Sequence, residues 1–234
     1  MLRWQDAKPQ RKLRFLHSRG IIEYYRDMKI YVYIDGFNLY YGCLKKSPYK
    51  WLNVQKLSEL LFPNHNIEKI KYYTAPIKIR EKDLDHEKPN RQQIYLRALR
   101  TINNLEIIEG TFLSHIITMK LAHEKGYAEV IKTEEKGTDV NIASHLINDG
   151  HKGNYEMAVI ISNDSDLVEP VKIIVKEMNI PVVVVSPYKK NTIELKNNAT
   201  FCKCIRKGIL RASQFDDIIM DRVGEIVKPN KWMV

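Results

Sequence analysis

The sequence predicts a three-layer α/β/α sandwich around a mainly parallel central sheet. Three observations carry that reading. Strand-like apolar runs alternate with helical patterns over most of the chain, the order expected of βαβ units. The runs at 155–161 and 181–185 are continuously apolar rather than alternating, so both of their faces must be covered. A helical stretch at 167–178 joins them, a spacing that makes the two strands parallel and the crossover right-handed.

Each element follows from local chemistry. Residues 29–34 form a strand rich in β-branched and aromatic side chains, closed by Asp35-Gly36. A short helix over 54–61 is stopped by Pro63, and a second strand over 67–75 ends before Pro76. Residues 90–102 read as an amphipathic helix with Ile94, Leu96, Leu99 and Ile102 near one face. A third strand spans 105–108 and closes at Gly110; another is expected at 127–132. Thr138 opens a helix that runs through 146 and stops at Asp149-Gly150.

Outside this core, residues 1–27 carry seven cationic and three acidic side chains (7 − 3 = +4) and read as a basic appendage. They lack the apolar stretch of a secretory signal, and Met28 is a second candidate start directly before the first strand. The domain proper is expected over 28–205, with a helical segment and tail over 206–234.

Composition narrows function. With Lys+Arg 38 and Asp+Glu 28 the net charge is +10, which favours an anionic partner such as nucleic acid. No apolar run is long enough to span a bilayer, so no membrane role is expected. Cys43, Cys202 and Cys204 are too few for a disulfide scaffold and suggest a reducing, cytoplasmic setting. Cys202 and Cys204 lack the second ligand pair of a zinc site and read as strand thiols. Phosphate-binding glycine loops and a nucleophile elbow are absent from the sequence.

In an open parallel sheet, ligands bind beyond the carboxyl ends of the strands. Three such ends carry aspartates: Asp35 with Asn38, Asp139 after Glu135-Lys136-Gly137-Thr138, and Asp164 with Asp166 after Ser162-Asn163. Any one of them could be a turn or helix cap. Four together exceed what capping needs, and crowded carboxylates are tolerated chiefly around a cation, for which Mg²⁺ is the usual choice. Tyr40, Tyr41, Lys45, Lys46 and Trp51 flank this edge, as do Tyr188, Lys189 and Lys190, a mixture suited to single-stranded RNA. Burial of Tyr40 and Trp51 in the core is the competing reading. His145 and Asp149, four apart on a helix, are expected to face solvent.

The segments Tyr-Ile-Asp35-Gly-Phe-Asn38, Glu-Lys136-Gly-Thr-Asp139 and Ser162-Asn-Asp164-Ser-Asp166 resemble, in order and spacing, the motifs of the NYN domain family, its LabA-like branch above all. The resemblance covers roughly 29–200. It implies a PIN-like fold and a ribonuclease whose Asp35, Asp139, Asp164 and Asp166 bind Mg²⁺ or Mn²⁺. It also implies that Asn38 sits beside them and that Lys136 matches a family lysine, suited to stabilising developing charge. Ser162 would then help orient ligands. Asn163 departs from the family, where glycine is common. A non-catalytic RNA-binding module and a protein-binding scaffold stay open as alternatives, and so does a homo-oligomer.

Overall fold

The computed structural model describes residues 28–79 and 84–233; the basic appendage expected over 1–27 lies outside them. The described strands are, in chain order, β1 (Lys29–Asp35), β2 (Asn66–Thr74), β3 (Leu105–Glu109), β4 (Thr111–Lys120), β5 (Tyr127–Lys136), β6 (Met157–Ile161), β7 (Val182–Ser186), β8 (Phe201–Cys204), β9 (Ile218–Met220) and β10 (Glu225–Val227). Six of them form one all-parallel sheet in the order β3-β2-β1-β6-β7-β8. Helices Val54–Leu61, Lys88–Leu99 and Lys207–Ala212 cover one face, while Thr138–His151, Val168–Lys172 and Ile193–Asn198 cover the other.

The pleat of β1 shows why the core is double. Ile30, Val32 and Ile34 join the first apolar cluster, and Tyr31 and Tyr33 join the second. The apolar runs of β6 and β7 are buried at every position, as a sheet covered on both sides requires. Among the described residues no helix is long and apolar enough to cross a membrane. Cys202 and Cys204 lie on β8, and burial pushes the Cys43 thiol up to about 12, which leaves it unreactive.

Two parts differ from expectation. Where one strand was expected near 127–132, β4 and β5 pair antiparallel through ten residues each, a ribbon attached to no larger sheet. Most of its side chains are exposed on both faces, so the sequence lacks the period-two contrast that burial imposes. The segment 206–234, expected as helix and tail, holds one six-residue helix, the β9–β10 ribbon and a final turn. It packs on the first core through Ile226 and Trp232, and Arg97 clamps Asp221 through two bonds of 2.7 Å.

Asp149 is also unlike its expectation. It is buried, accepting from Lys71 Nζ at 2.6 Å, Tyr33 Oη at 2.7 Å and Asn154 Nδ2 at 3.2 Å, while His145 meets Tyr73 Oη at 3.0 Å. Burial alone would raise its carboxyl, but the bonds from Lys71 and Tyr33 hold it below the usual range. This network ties β1, β2 and the helix Thr138–His151 together. Asp149→Ala strands a buried ammonium, so it should cost about 3 kcal/mol, or a melting point roughly 6–12 °C lower. Urea denaturation and thermal melts check this; a loss below about 1 kcal/mol would mean that the pair is not structural.

Candidate metal centre

The chain builds outward from β1 to β3 and then returns to β6, on the other side of β1. The switch in strand order therefore falls between β1 and β6, with Ile34 opposite Ile161. Asp35 ends one strand, and Ser162 immediately follows the other.

Asp35 is buried and does two jobs. Its Oδ1 caps the following turn by accepting from the Asn38 amide at 2.9 Å, and its Oδ2 accepts from Ser162 Oγ at 3.1 Å. Gly36 is required here, since a Cβ would lie 2.6 Å from the Tyr73 carbonyl oxygen. Asp164 likewise caps its own turn, accepting from the Asp166 amide at 3.0 Å, while its amide donates to Ser162 Oγ at 3.2 Å. Asn38 Oδ1 accepts from the Asn163 amide at 3.0 Å, which staples the two strand-end turns. Asn163, the departure from the family pattern, accepts from the Thr192 amide at 2.8 Å and so anchors a third loop.

Asp139 arrives from the helix Thr138–His151. Gly137 at φ +99° lets the chain turn sharply out of β5, and Glu135 Oε1 accepts from the Thr138 amide at 3.2 Å and hydroxyl at 2.5 Å. Asp139 thus sits in the first helical turn with no hydrogen-bond donor to its carboxylate among the described residues. Burial, then the charges of Asp35, Asp164, Glu135 and Asp166, push it up to about 6. Asp35 is raised too, by burial first, although Asn38 and Ser162 pull against it.

Oxygens of Asp35, Asp139 and Asp164 all lie within 4.8 Å of one another. The set is hard, anionic and short of donors, which fits an oxygen-coordinated divalent cation. Asp166, expected as a fourth ligand, is exposed and outside this set; its amide is spent on Asp164, and only its charge reaches Asp139.

The other sequence-predicted residues scatter around a cleft of about 330 Å³, whose lining includes the three aspartates, Asn38, Glu135, Phe37 and Tyr188. Ser162 is fully buried and positions Asp35 and Asp164 instead of facing a ligand. Lys136 is exposed and pairs with Glu134 at 3.0 Å. Lys45 lies 4.8 Å above the Tyr41 ring, and Lys46, Lys189 and Lys190 are exposed nearby in sequence. Trp51 is core: it is fully buried and its Nε1 donates to the Asp216 carbonyl at 2.8 Å. Sequence reasoning missed Phe112, because the strand β4 that carries it was not foreseen, and it quoted Glu135 before Asp139 without giving it a role.

The family model of the NYN domain matches residues 29–205. The chain belongs to the NYN domain family. This NYN domain is 31% identical to the 6-hydroxy-3-succinoylpyridine 3-monooxygenase HspA of Pseudomonas putida, over 86% of its own length and 74% of that protein. A Vibrio parahaemolyticus protein of unknown function shares the fold, with a TM-score of 0.51 at 19% identity over 78% of this chain and 95% of the other.

The crowded carboxylates predict a pH signature. A carboxyl raised in the fold stabilises fully below its unfolded value near 4, and that stability is lost as pH rises through about 6. In EDTA, Asp139→Asn should therefore melt with wild type at pH 4 and roughly 2–4 °C above it at pH 7, about 1 kcal/mol after discounting for solvent screening. Calorimetry in a pH series checks it; a gap that does not widen with pH would contradict the crowding.

Proposed function

We propose that this NYN domain is a metal-dependent ribonuclease that hydrolyses phosphodiester bonds of single-stranded RNA. The observation that carries the reading is the convergence of Asp35, Asp139 and Asp164 at the switch point of a sheet whose family is nuclease-like. These three residues would hold Mg²⁺ or Mn²⁺, which when bound acidifies a water and polarises a phosphate. The protein's own groups prepare that site. Ser162 and Asn38 fix Asp35 and the 162–164 turn, so the carboxylates need not reorganise. Asp166 adds negative field at the rim. Tyr41 and Tyr188, exposed beside the cleft, offer faces on which a base can stack. Lys45, Lys46, Lys189 and Lys190 supply cations for phosphates, and Lys136 can do so by leaving Glu134.

A second reading rests on the Pseudomonas putida relative. It is oxygenation of an aromatic acid in the same cleft, and it would show as substrate-dependent oxygen uptake with a reductant and no cleavage of RNA.

Manganese should raise the melting temperature and support shortening of single-stranded RNA, and EDTA should abolish both. Asp164→Asn should lose at least about 100-fold in rate and most of the manganese shift. Ser162→Ala should weaken metal binding about 10–100-fold, as expected of a group that orients a ligand. RNA cleavage that persists in EDTA, or equal manganese shifts in wild type and Asp164→Asn, would defeat the reading.

A further inference from the structure

Charge is sharply divided around the cleft. Among the described residues the 330 Å³ cup is lined by Asp35, Glu135, Asp139 and Asp164 and by no lysine or arginine. Beside it lies a larger trough of about 510 Å³, whose lining among the described residues includes Lys45, Lys50, Lys78, Lys88 and Arg91 and no aspartate or glutamate, although Arg91 pairs with Asp85 at 2.6 Å just outside it. Phe37, Tyr41 and Phe112 belong to both and form the sill between them, with Phe37 and Phe112 in edge-to-face contact at 5.6 Å.

We infer that the trough is the track of a polyanionic single strand whose scissile phosphate sits in the cup. This rests on the nuclease reading of the cup and adds where the rest of the substrate lies. Lys45, Lys50 and Lys78 have no carboxylate partner among the described residues, and three such cations along one concavity exceed what a single small anion would neutralise, whereas successive phosphates use one each. The cations come from four separate stretches: the end of the turn after β1, the loop before Val54, the segment after β2 and the helix Lys88–Leu99. Only the fold assembles them. Lys50 is half-buried, its ammonium lowered by that burial and bonded to the Ser47 carbonyl at 2.5 Å. A desolvated cation held this way gains from an anion in the trough. The sill supplies aromatic faces where a base must pass from trough to cup, and stacking there is indifferent to sequence.

The test measures binding of a fluorescent ten-nucleotide oligouridylate to the full-length protein in EDTA across a salt series. Wild type is compared with Lys45→Ala/Lys78→Ala, two exposed cations of the trough, and with Lys152→Ala/Lys176→Ala, two exposed cations elsewhere. Each lost phosphate contact should make the slope of log K against log[salt] shallower by about 0.7. The trough variant should therefore lose about 1.4 in slope and bind roughly 20-fold more weakly in 0.1 M salt, with the control within twofold of wild type. An equal loss in the control would overturn the track, because binding would then follow net charge alone. Uridine monophosphate binding as tightly as the decamer would overturn it too, in favour of a small-anion pocket. Manganese-dependent hydrolysis of bis(p-nitrophenyl) phosphate by wild type is scored separately. Its failure would sink the hydrolytic cup, while the binding series, run without metal, still decides the trough.

Discussion

Parallel pairing of β1 with β6, with Ile34 opposite Ile161, sets two strand ends side by side at the centre of the sheet. Asp35 and Ser162 each follow that pair by one residue, so a single bond from Ser162 Oγ to Asp35 Oδ2 joins segments 127 residues apart in sequence. The same hydroxyl accepts from the Asp164 amide. The switch in strand order leaves room above this junction, and the helix bearing Asp139 leans over it. Remove that pairing and the carboxylates become three unrelated turn residues.

Convergence runs against stability. Asp139, pushed up by burial and by four neighbouring carboxylates, gains no hydrogen bond in return. Asp149 shows the alternative on the same helix: a buried carboxylate answered by Lys71, Tyr33 and Asn154. One end of the helix holds a satisfied charge that stabilises the fold, and the other holds an unsatisfied one that a cation could answer. Two of the site's aspartates also cap turns, so capping and metal binding are not rival explanations here. Each carboxylate offers two oxygens, and Asp164 spends only one of them on its turn.

Strands buried on both faces were legible, because burial leaves continuous apolar runs in β6 and β7. Asp35 and Asp164 were legible because they stand at strand ends of the parallel sheet, whereas Asp139, expected at a third such end, follows β5, which lies outside that sheet. Asp166, two residues beyond Asp164, stays exposed and outside the cluster of three, its amide donating to Asp164. Of the β4–β5 ribbon only part of β5 was legible, most of its side chains being exposed, and with β4 went Phe112 as a wall of the cleft. His145 and Asp149 looked like a surface pair because nothing local announces that β1 and β2 bring Tyr33, Tyr73 and Lys71 to meet them. The basic trough was invisible for a related reason. Its cations stand at positions 45, 50, 78, 88 and 91, and only Lys45 drew attention in sequence.

The most direct test of the metal centre is anomalous diffraction from crystals of the full-length protein soaked in Mn²⁺. The account predicts a manganese peak between Asp35, Asp139 and Asp164, bonded to an oxygen of each, with Asp166 outside its coordination sphere. Absence of a peak at full soaking, or a peak held by Asp166 and Glu169 alone, would contradict it.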